Sequence, residues 1–232
     1  MESKIQNPKS KITSGIKGIS MDAGGTLIQL KRPVGEVYAE VAAEQGIALD
    51  ASATTAAFRH VWKSLPERAD GERPDDDAGF WAEIVREVLR QNRIKLGPSD
   101  FDRFFKTAYE QYRGAKEWEL YPEVFEVVSE LSKRFPLAVT SNYDLRLIST
   151  LEELGVAVFF QEIVVSSVVG ADKPSPRIFK AAAEALELAP AEILHIGDEE
   201  EADFHGARSA GLNAWLVKRP ETDLRTLIHA TR

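Results

Sequence analysis

Ile16-Lys17-Gly18-Ile19-Ser20-Met21-Asp22-Ala23-Gly24-Gly25-Thr26-Leu27 joins a short apolar run to an acidic, glycine-rich one. Residues 16–21 are a short, β-prone apolar run, and Asp22-Ala23-Gly24-Gly25 after it must turn. A strand that stops at an acidic residue and two glycines delivers a carboxylate to its own C-terminal end. The same design recurs downstream. Leu137-Ala138-Val139 runs into Thr140-Ser141-Asn142, residues 193–196 run into Gly197-Asp198, and residues 163–165 and 214–217 supply two further apolar runs. Amphipathic helices separate them. One has Val124, Val127, Val128 and Leu131 on one face after Pro122. Another lies around Leu147, Leu151 and Leu154 and stops at Gly155, a third spans 176–186, and a fourth runs from about Ala202 to Gly211. Continuous apolar strands alternating with such helices imply a parallel sheet covered on both faces. The polar residues Asp22, Ser141, Asn142 and Asp198 then share the edge where open parallel sheets bind ligands.

Between the first strand and this α/β series lies a stretch of different character. Residues 33–114 read as helical: Val34, Val37, Tyr38 and Val41 fall at i, i+3, i+4 and i+7, with Gly46 as a stop. Later helices carry Phe58 and Trp62, then Trp81, Ile84, Val85 and Leu89, then Phe101, Phe104, Phe105 and Tyr109. Residues 68–77 are polar and read as a loop. Residues 1–14 are short, polar and lysine-bearing, expected to be a flexible tail and not a signal peptide. The composition of the 232 residues, 44% hydrophobic and 28% charged, is that of a folded globular protein. A net charge of -8 argues against nucleic acid or an anionic membrane as partner. No apolar run approaches a membrane span, and a cytoplasmic protein is expected. The absence of cysteine removes thiolate chemistry and cysteine zinc sites. The four histidines lack metal-ligand spacing.

Four segments together resemble the signature motifs of the haloacid dehalogenase (HAD)-like hydrolases. They are Asp22-Ala23-Gly24-Gly25-Thr26-Leu27, Val139-Thr140-Ser141-Asn142, Lys173-Pro174, and Ile196-Gly197-Asp198 with Asp203 five residues on. The local texture at Arg32-Pro33-Val34-Gly35-Glu36 and Lys173-Pro174-Ser175-Pro176-Arg177-Ile178-Phe179 looks closest to the subgroup called haloacid dehalogenase-like hydrolase domain-containing protein 3. The resemblance implies a Rossmann-like three-layer α/β core at 15–32 and 115–232, with residues 33–114 forming a helical cap inserted after the first strand. It also implies an Asp22 nucleophile that forms a covalent aspartyl intermediate on a small phosphorylated anion. The implied Mg²⁺ is held by Asp22, the main-chain carbonyl of Gly24 and Asp198, with Asp203 behind them or ligating directly. Ser141 and Asn142 are expected to donate hydrogen bonds to the anion, and Lys173 to supply positive charge to it and to Asp22. Taken singly, Asp198 and Asp203 are ordinary acids at a helix start, Ser141 a helix cap and Lys173 an exposed lysine. Their joint occurrence is what points to a site. Gly25 reads as a turn too tight for a side chain.

One position departs from the pattern. Phosphatases of this superfamily carry, two residues after the nucleophile, an aspartate that protonates the leaving oxygen, and here that position is Gly24. General acid–base assistance is worth about 10²–10⁴ in rate. Three readings follow: a slow or specialised hydrolase, a metal- and anion-binding pseudo-enzyme, or other chemistry in which Lys63 forms a Schiff base. The aromatic residues Phe58, Trp62, Phe80, Trp81, Phe104, Phe105, Tyr109 and Tyr112 are expected to form mostly the insert's own core, because they recur at helical spacing. Glu199 reads either as part of a solvated helix start or as a residue that tunes the metal from behind its ligands, and His60 as a surface or core residue, with the cleft as the alternative.

Overall fold

The computed structural model describes residues 15–73 and 76–230, and the expected tail at 1–14 lies outside them. Five parallel strands make the central sheet: β1 (Gly18–Met21), β4 (Leu137–Ser141), β5 (Glu162–Val165), β6 (Ile193–Gly197) and β7 (Asn213–Leu216). They are ordered β5-β4-β1-β6-β7, with every neighbouring pair parallel. β1 therefore lies at the centre, and the chain builds outward from it first to one side and then to the other. The crevice at such a reversal opens beyond the carboxyl ends of the strands, where Asp22, Asn142 and Asp198 follow β1, β4 and β6.

Side-chain alternation assigns each strand residue to a layer. Ile19, Met21, Leu137, Val139, Leu194 and Ile196 pack on one face with α5 (Val124–Ser132), α6 (Arg146–Glu153) and α10 (Arg225–Ala230). Ala138, Val164, Ile193 and Ala214 pack on the other, against α8 (Pro176–Ala185) and α9 (Gly206–Ser209). This is the three-layer α/β fold. The sheet face toward α8 also buries three polar side chains, Ser20, Thr140 and His195.

Four helices stand between β1 and α5: α1 (Val34–Glu44), α2 (Ala51–Lys63), α3 (Ala78–Gln91) and α4 (Pro98–Gln111). They share a separate buried cluster built on Val37, Val41, Ile84, Val88 and Phe104. Among the described residues no helix is long and apolar enough to cross a membrane.

Two elements escape the sequence reading. The chain enters and leaves the four-helix insert through an antiparallel pair, β2 (Ile28–Leu30) with β3 (Trp118–Leu120), in register Ile28↔Leu120 and Leu30↔Trp118. Arg32 reinforces this junction with a two-pronged hydrogen bond to Glu117. Three-residue strands are too short to show periodicity. The helix expected from about Ala202 begins instead as a wide π turn, Glu200–His205, before α9. The widened turn brings Asp203 back under Gly197, where a Cβ on Gly197 would lie 2.1 Å from the Asp203 carboxyl carbon. A short helix, α7 (Ser166–Val169), also follows β5.

Gly35 is where α1 meets α2 at backbone distance. Its N–H donates to Thr55 Oγ1 at 3.1 Å, and a Cβ there would lie 1.9 Å from the Ala51 carbonyl. Because the obstacle is main chain, Gly35→Ala must push the helices apart. It should lower stability by about 1–3 kcal/mol or more, read as a reduced denaturant midpoint. An unchanged midpoint would refute the close packing of α1 on α2.

Candidate active site

Asp22 closes β1 with its amide donating to Ile196 O at 2.8 Å, which fixes the first residue of the turn to β6. Its carboxylate is almost wholly buried, and Oδ1 accepts a hydrogen bond from Lys173 Nζ at 2.6 Å. The same ammonium donates at 2.6 Å to Asp203 Oδ1. Asp198 lies across the turn: its Oδ1 accepts from Thr26 Oγ1 at 3.0 Å, and a Cβ on Gly25 would come within 2.3 Å of its Oδ2. Gly25 has φ +77°, so both its backbone angle and its neighbour exclude a side chain. Gly24 differs. A Cβ built there meets nothing within 4 Å.

Asp22, Asp198 and Asp203 each present a carboxylate oxygen within 4.8 Å of the other two. Burial pushes the Asp22 carboxyl up to about 6, with the charges of Asp203 and Asp198 adding to it against Lys173. Asp198 is pushed up to about 6 as well, by burial and then by Asp203. For Lys173, burial works against the charged form, but the carboxylates of Asp203 and Asp22 outweigh it and hold the ammonium above its ordinary range. Burial opposes ionisation of Asp203 too, and there Lys173 and His195 prevail, holding it below the usual carboxylate range. Three acids around one lysine leave the pocket short of positive charge, and Asp22 and Asp198 carry that deficit.

Asp203 accepts from everything around it. Oδ1 also takes His195 Nε2 at 3.1 Å, and Oδ2 takes the Glu199 amide at 2.9 Å. An ionised carboxylate can only accept, so Nε2 donates to it, and the ring's other nitrogen, Nδ1, lies 2.9 Å from Ser20 Oγ. Ser20 Oγ is in turn 2.7 Å from Thr140 Oγ1. A continuous buried polar chain thus runs Thr140–Ser20–His195–Asp203–Lys173–Asp22 beneath the strand ends. In the sequence His195 looked like one of four scattered histidines. The available signal was a polar residue at an inward position of each of three adjacent strands.

The other expected residues fall at the same edge with different tasks. Ser141 is buried at the end of β4 and lines the cavity above Asp22. Asn142 also borders that cavity, but both ends of its side-chain amide are committed. Oδ1 accepts from Lys173 N at 2.6 Å and Nδ2 donates to Lys173 O at 3.0 Å. It therefore seats the lysine's backbone, with one of the two Nδ2 hydrogens left over on the cavity's border. Glu199 borders the cavity, and burial together with Asp203 raises its carboxyl above the ordinary value. Lys63 and His60 face solvent and do not line the cavity, which removes the geometric basis for a Schiff base at Lys63.

The cavity, about 360 Å³, lies between the strand ends and the insert. Six of the eight aromatics named from the sequence line it (Phe58, Trp62, Trp81, Phe105, Tyr109 and Tyr112), and four of these, Phe58, Trp81, Phe105 and Tyr112, also pack against the insert's core as expected. Helical spacing identifies the inward face of a helix but not whether that face meets a neighbour or a void. Phe104 alone among the eight is fully buried in the insert's core.

Three arginines that the sequence reading passed over fix the surroundings. Arg146 makes a buried two-pronged pair with Asp144 and donates to Tyr109 O, while Trp81 Nε1 donates to the same Asp144 at 2.9 Å. Arg68, in the expected loop, bridges Asp77 and Asp172, the neighbour of Lys173. Arg219 donates to the carbonyls of Gly25 and Thr26, pairs with Glu123 at 2.6 Å, and lies 3.6 Å over the Tyr121 ring.

A central parallel sheet with an aspartate at the end of its first strand, a lysine and two further acids around it, and a helical insert over that edge is the arrangement that the sequence resemblance implies. Residues 16–211 match the family model described as haloacid dehalogenase-like hydrolase, and the chain belongs to that family. It is 30% identical over 208 residues, 88% of this chain and 82% of the relative, to haloacid dehalogenase-like hydrolase domain-containing protein 3 of Bos taurus. Over 101 residues, 43% of each chain, it is 37% identical to glyceraldehyde 3-phosphate phosphatase of Methanopyrus kandleri. Among solved structures it resembles YfnB of Bacillus subtilis, a HAD-type protein bound to magnesium. The TM-score there is 0.71 and the identity 18%, over 93% of this chain and 98% of that one.

Lys173→Met keeps the length of the side chain and removes the charge, leaving Asp22 and Asp203 facing each other. Breaking a buried pair in this way should cost about 3–5 kcal/mol, measured by denaturant unfolding in EDTA. The loss should be smaller when Asp22→Asn is already present. Equal losses in both backgrounds would show that the lysine and Asp22 do not interact.

Proposed function

We propose that this chain is a Mg²⁺-dependent phosphatase of small phosphorylated molecules, with Asp22 as nucleophile and residues 33–114 as the cap over the site. The observation that carries this reading is the Asp22 oxygen held 2.6 Å from Lys173, beside two more acids, on the floor of a cavity. The residues present suit a divalent cation, because the donors are hard carboxylate oxygens and Asp22 and Asp198 are held near 6 for want of positive charge. Asp22, the Gly24 carbonyl and Asp198 would hold it, with Asp203, both of whose oxygens already accept, behind them. When bound, the ion neutralises the like charges of nucleophile and phosphate.

Asp22 attacks phosphorus, the bond from phosphorus to the leaving oxygen breaks, and the electron pair goes with that oxygen. Water then hydrolyses the aspartyl phosphate, releasing inorganic phosphate and restoring the carboxylate. Ser141 donates to the phosphate oxygens, and Lys173 offsets charge on both reactants while Asn142 fixes its backbone. Neither Lys173 nor Asp203 replaces the missing acid, since the first is held charged and the second ionised. Departure of the leaving group therefore lacks the acid that a side chain at position 24 would supply.

A second reading, a retired enzyme that only binds metal and anion, is favoured by the open space at Gly24. Nothing in the turn demands glycine there. A panel of phosphate esters, with Mg²⁺ or with EDTA, separates the two. The hydrolase reading expects Mg²⁺-dependent turnover that Asp22→Asn abolishes, and Gly24→Asp should raise turnover of alkyl esters by about 10²–10⁴. An inert wild type with an active Gly24→Asp variant would establish the retired scaffold. Inertness of both would sink the nucleophile assignment.

A further inference from the structure

We infer that the site selects phosphate esters whose leaving group is an aryloxide, bound by the aromatic wall above Asp22. This rests on the phosphatase reading and names its substrate class. Two independent features point the same way. The first is chemical. Position 24, two residues past Asp22, is a glycine and presents no side chain that could hand a proton to the departing oxygen. An alkoxide needs that proton. An aryloxide leaves as the anion, because the ring spreads its charge.

The second feature is geometric. Phe58, Trp62 and Trp81 form a nearly parallel series, 6.2 Å apart at 10° and 5.7 Å apart at 15°. Phe105 and Tyr109, 5.2 Å apart, line the same cavity. The polar groups among these walls are mostly spoken for. The Trp81 N–H and the Arg146 guanidinium are both tied to Asp144. The Tyr112 hydroxyl is buried without a hydrogen-bond partner among the described residues. A sugar or polyol phosphate would press several hydroxyls against ring faces and lose their hydrogen bonds to water. A planar ring loses nothing of the kind and gains stacking. Trp62, still 39% exposed although it lines the cavity, is the ring with most face left to cover.

The step balances as hydrolysis. Asp22 forms its bond to phosphorus as the bond from phosphorus to the aryl oxygen breaks, and the aryloxide takes the electron pair. Water then replaces Asp22 on phosphorus, and its proton ends on the aryloxide or the released phosphate. No oxidant or co-reactant is needed.

The test has a binding arm and a turnover arm, both with the full chain and Mg²⁺. Phenylphosphonate should bind more tightly than methylphosphonate by on the order of tenfold, measured by calorimetry. Trp62→Ala should erase most of that preference, and Trp62→Phe should keep it. In turnover, phenyl phosphate should exceed a fluorinated alkyl phosphate of matched leaving-group acidity by a similar factor, with KM for the aryl ester alone raised in Trp62→Ala. Asp22-dependent turnover of both esters at equal efficiency, with equal phosphonate affinities, overturns the aryl inference and leaves the phosphatase standing. A phosphonate preference without turnover of either ester does the reverse: it upholds the aromatic selectivity and sinks the phosphatase reading.

Discussion

The Lys173 ammonium, out of water and 2.6 Å from both Asp22 and Asp203, is the contact on which the rest of the site depends. Burying an isolated ammonium or carboxylate costs several kcal/mol even after relaxation. Each of these groups is tolerable only because the others are in place. Asp203 must therefore be held where the lysine can reach it, and the π turn, the Glu199 amide and His195 do this. His195 in turn needs Ser20, and Ser20 meets Thr140. The charge pair at the strand ends thus reaches through the sheet and ties the registers of β4, β1 and β6 together. A one-residue slip in any of them would turn its polar member to the opposite face and strand a buried partner.

The insert is seated on the core through groups that border this pair. Arg68 reaches Asp172, next to Lys173, and the Gly71 amide donates to Gly170 O at 2.8 Å. Asp76 receives the Leu145 amide and the Ser167 hydroxyl from the core side. Trp81 meets Asp144 two residues after Asn142, the residue that grips the lysine's backbone. Position of the insert and position of the ammonium are therefore not independent. Moving the helices off the core disturbs the segments on both sides of Lys173, which makes the shape of the cavity part of the charge arrangement.

What could be read from the chain followed from the range of each interaction. The five parallel strands, the turn after Asp22 and the need for glycine at 25 are local, and each was legible from a few adjacent residues. The gathering of Asp22, Lys173, Asp198 and Asp203 was legible only through resemblance, because no spacing rule brings residues 22 and 173 together. β2 and β3 were lost because each is three residues long and pairs with a partner some 90 positions away. Arg68 with Asp172 failed for the same reason, since a polar loop gives no hint of what it docks against. Asn142 shows a subtler limit: its place at the sheet edge is legible, but its grip on the Lys173 backbone is not. The aromatic faces were correctly placed on one side of each helix, and only coordinates distinguish a filled groove from a void.

Arg219 gives the turn after β1 an unusual dependence. The carbonyls of Gly25 and Thr26 are gripped by a guanidinium nearly two hundred residues later, itself braced by Glu123 and Tyr121. The turn that carries Asp22 is thus held from outside by the segment that follows β7. A disturbance confined to that distant segment therefore loosens the turn without touching any of the clustered carboxylates.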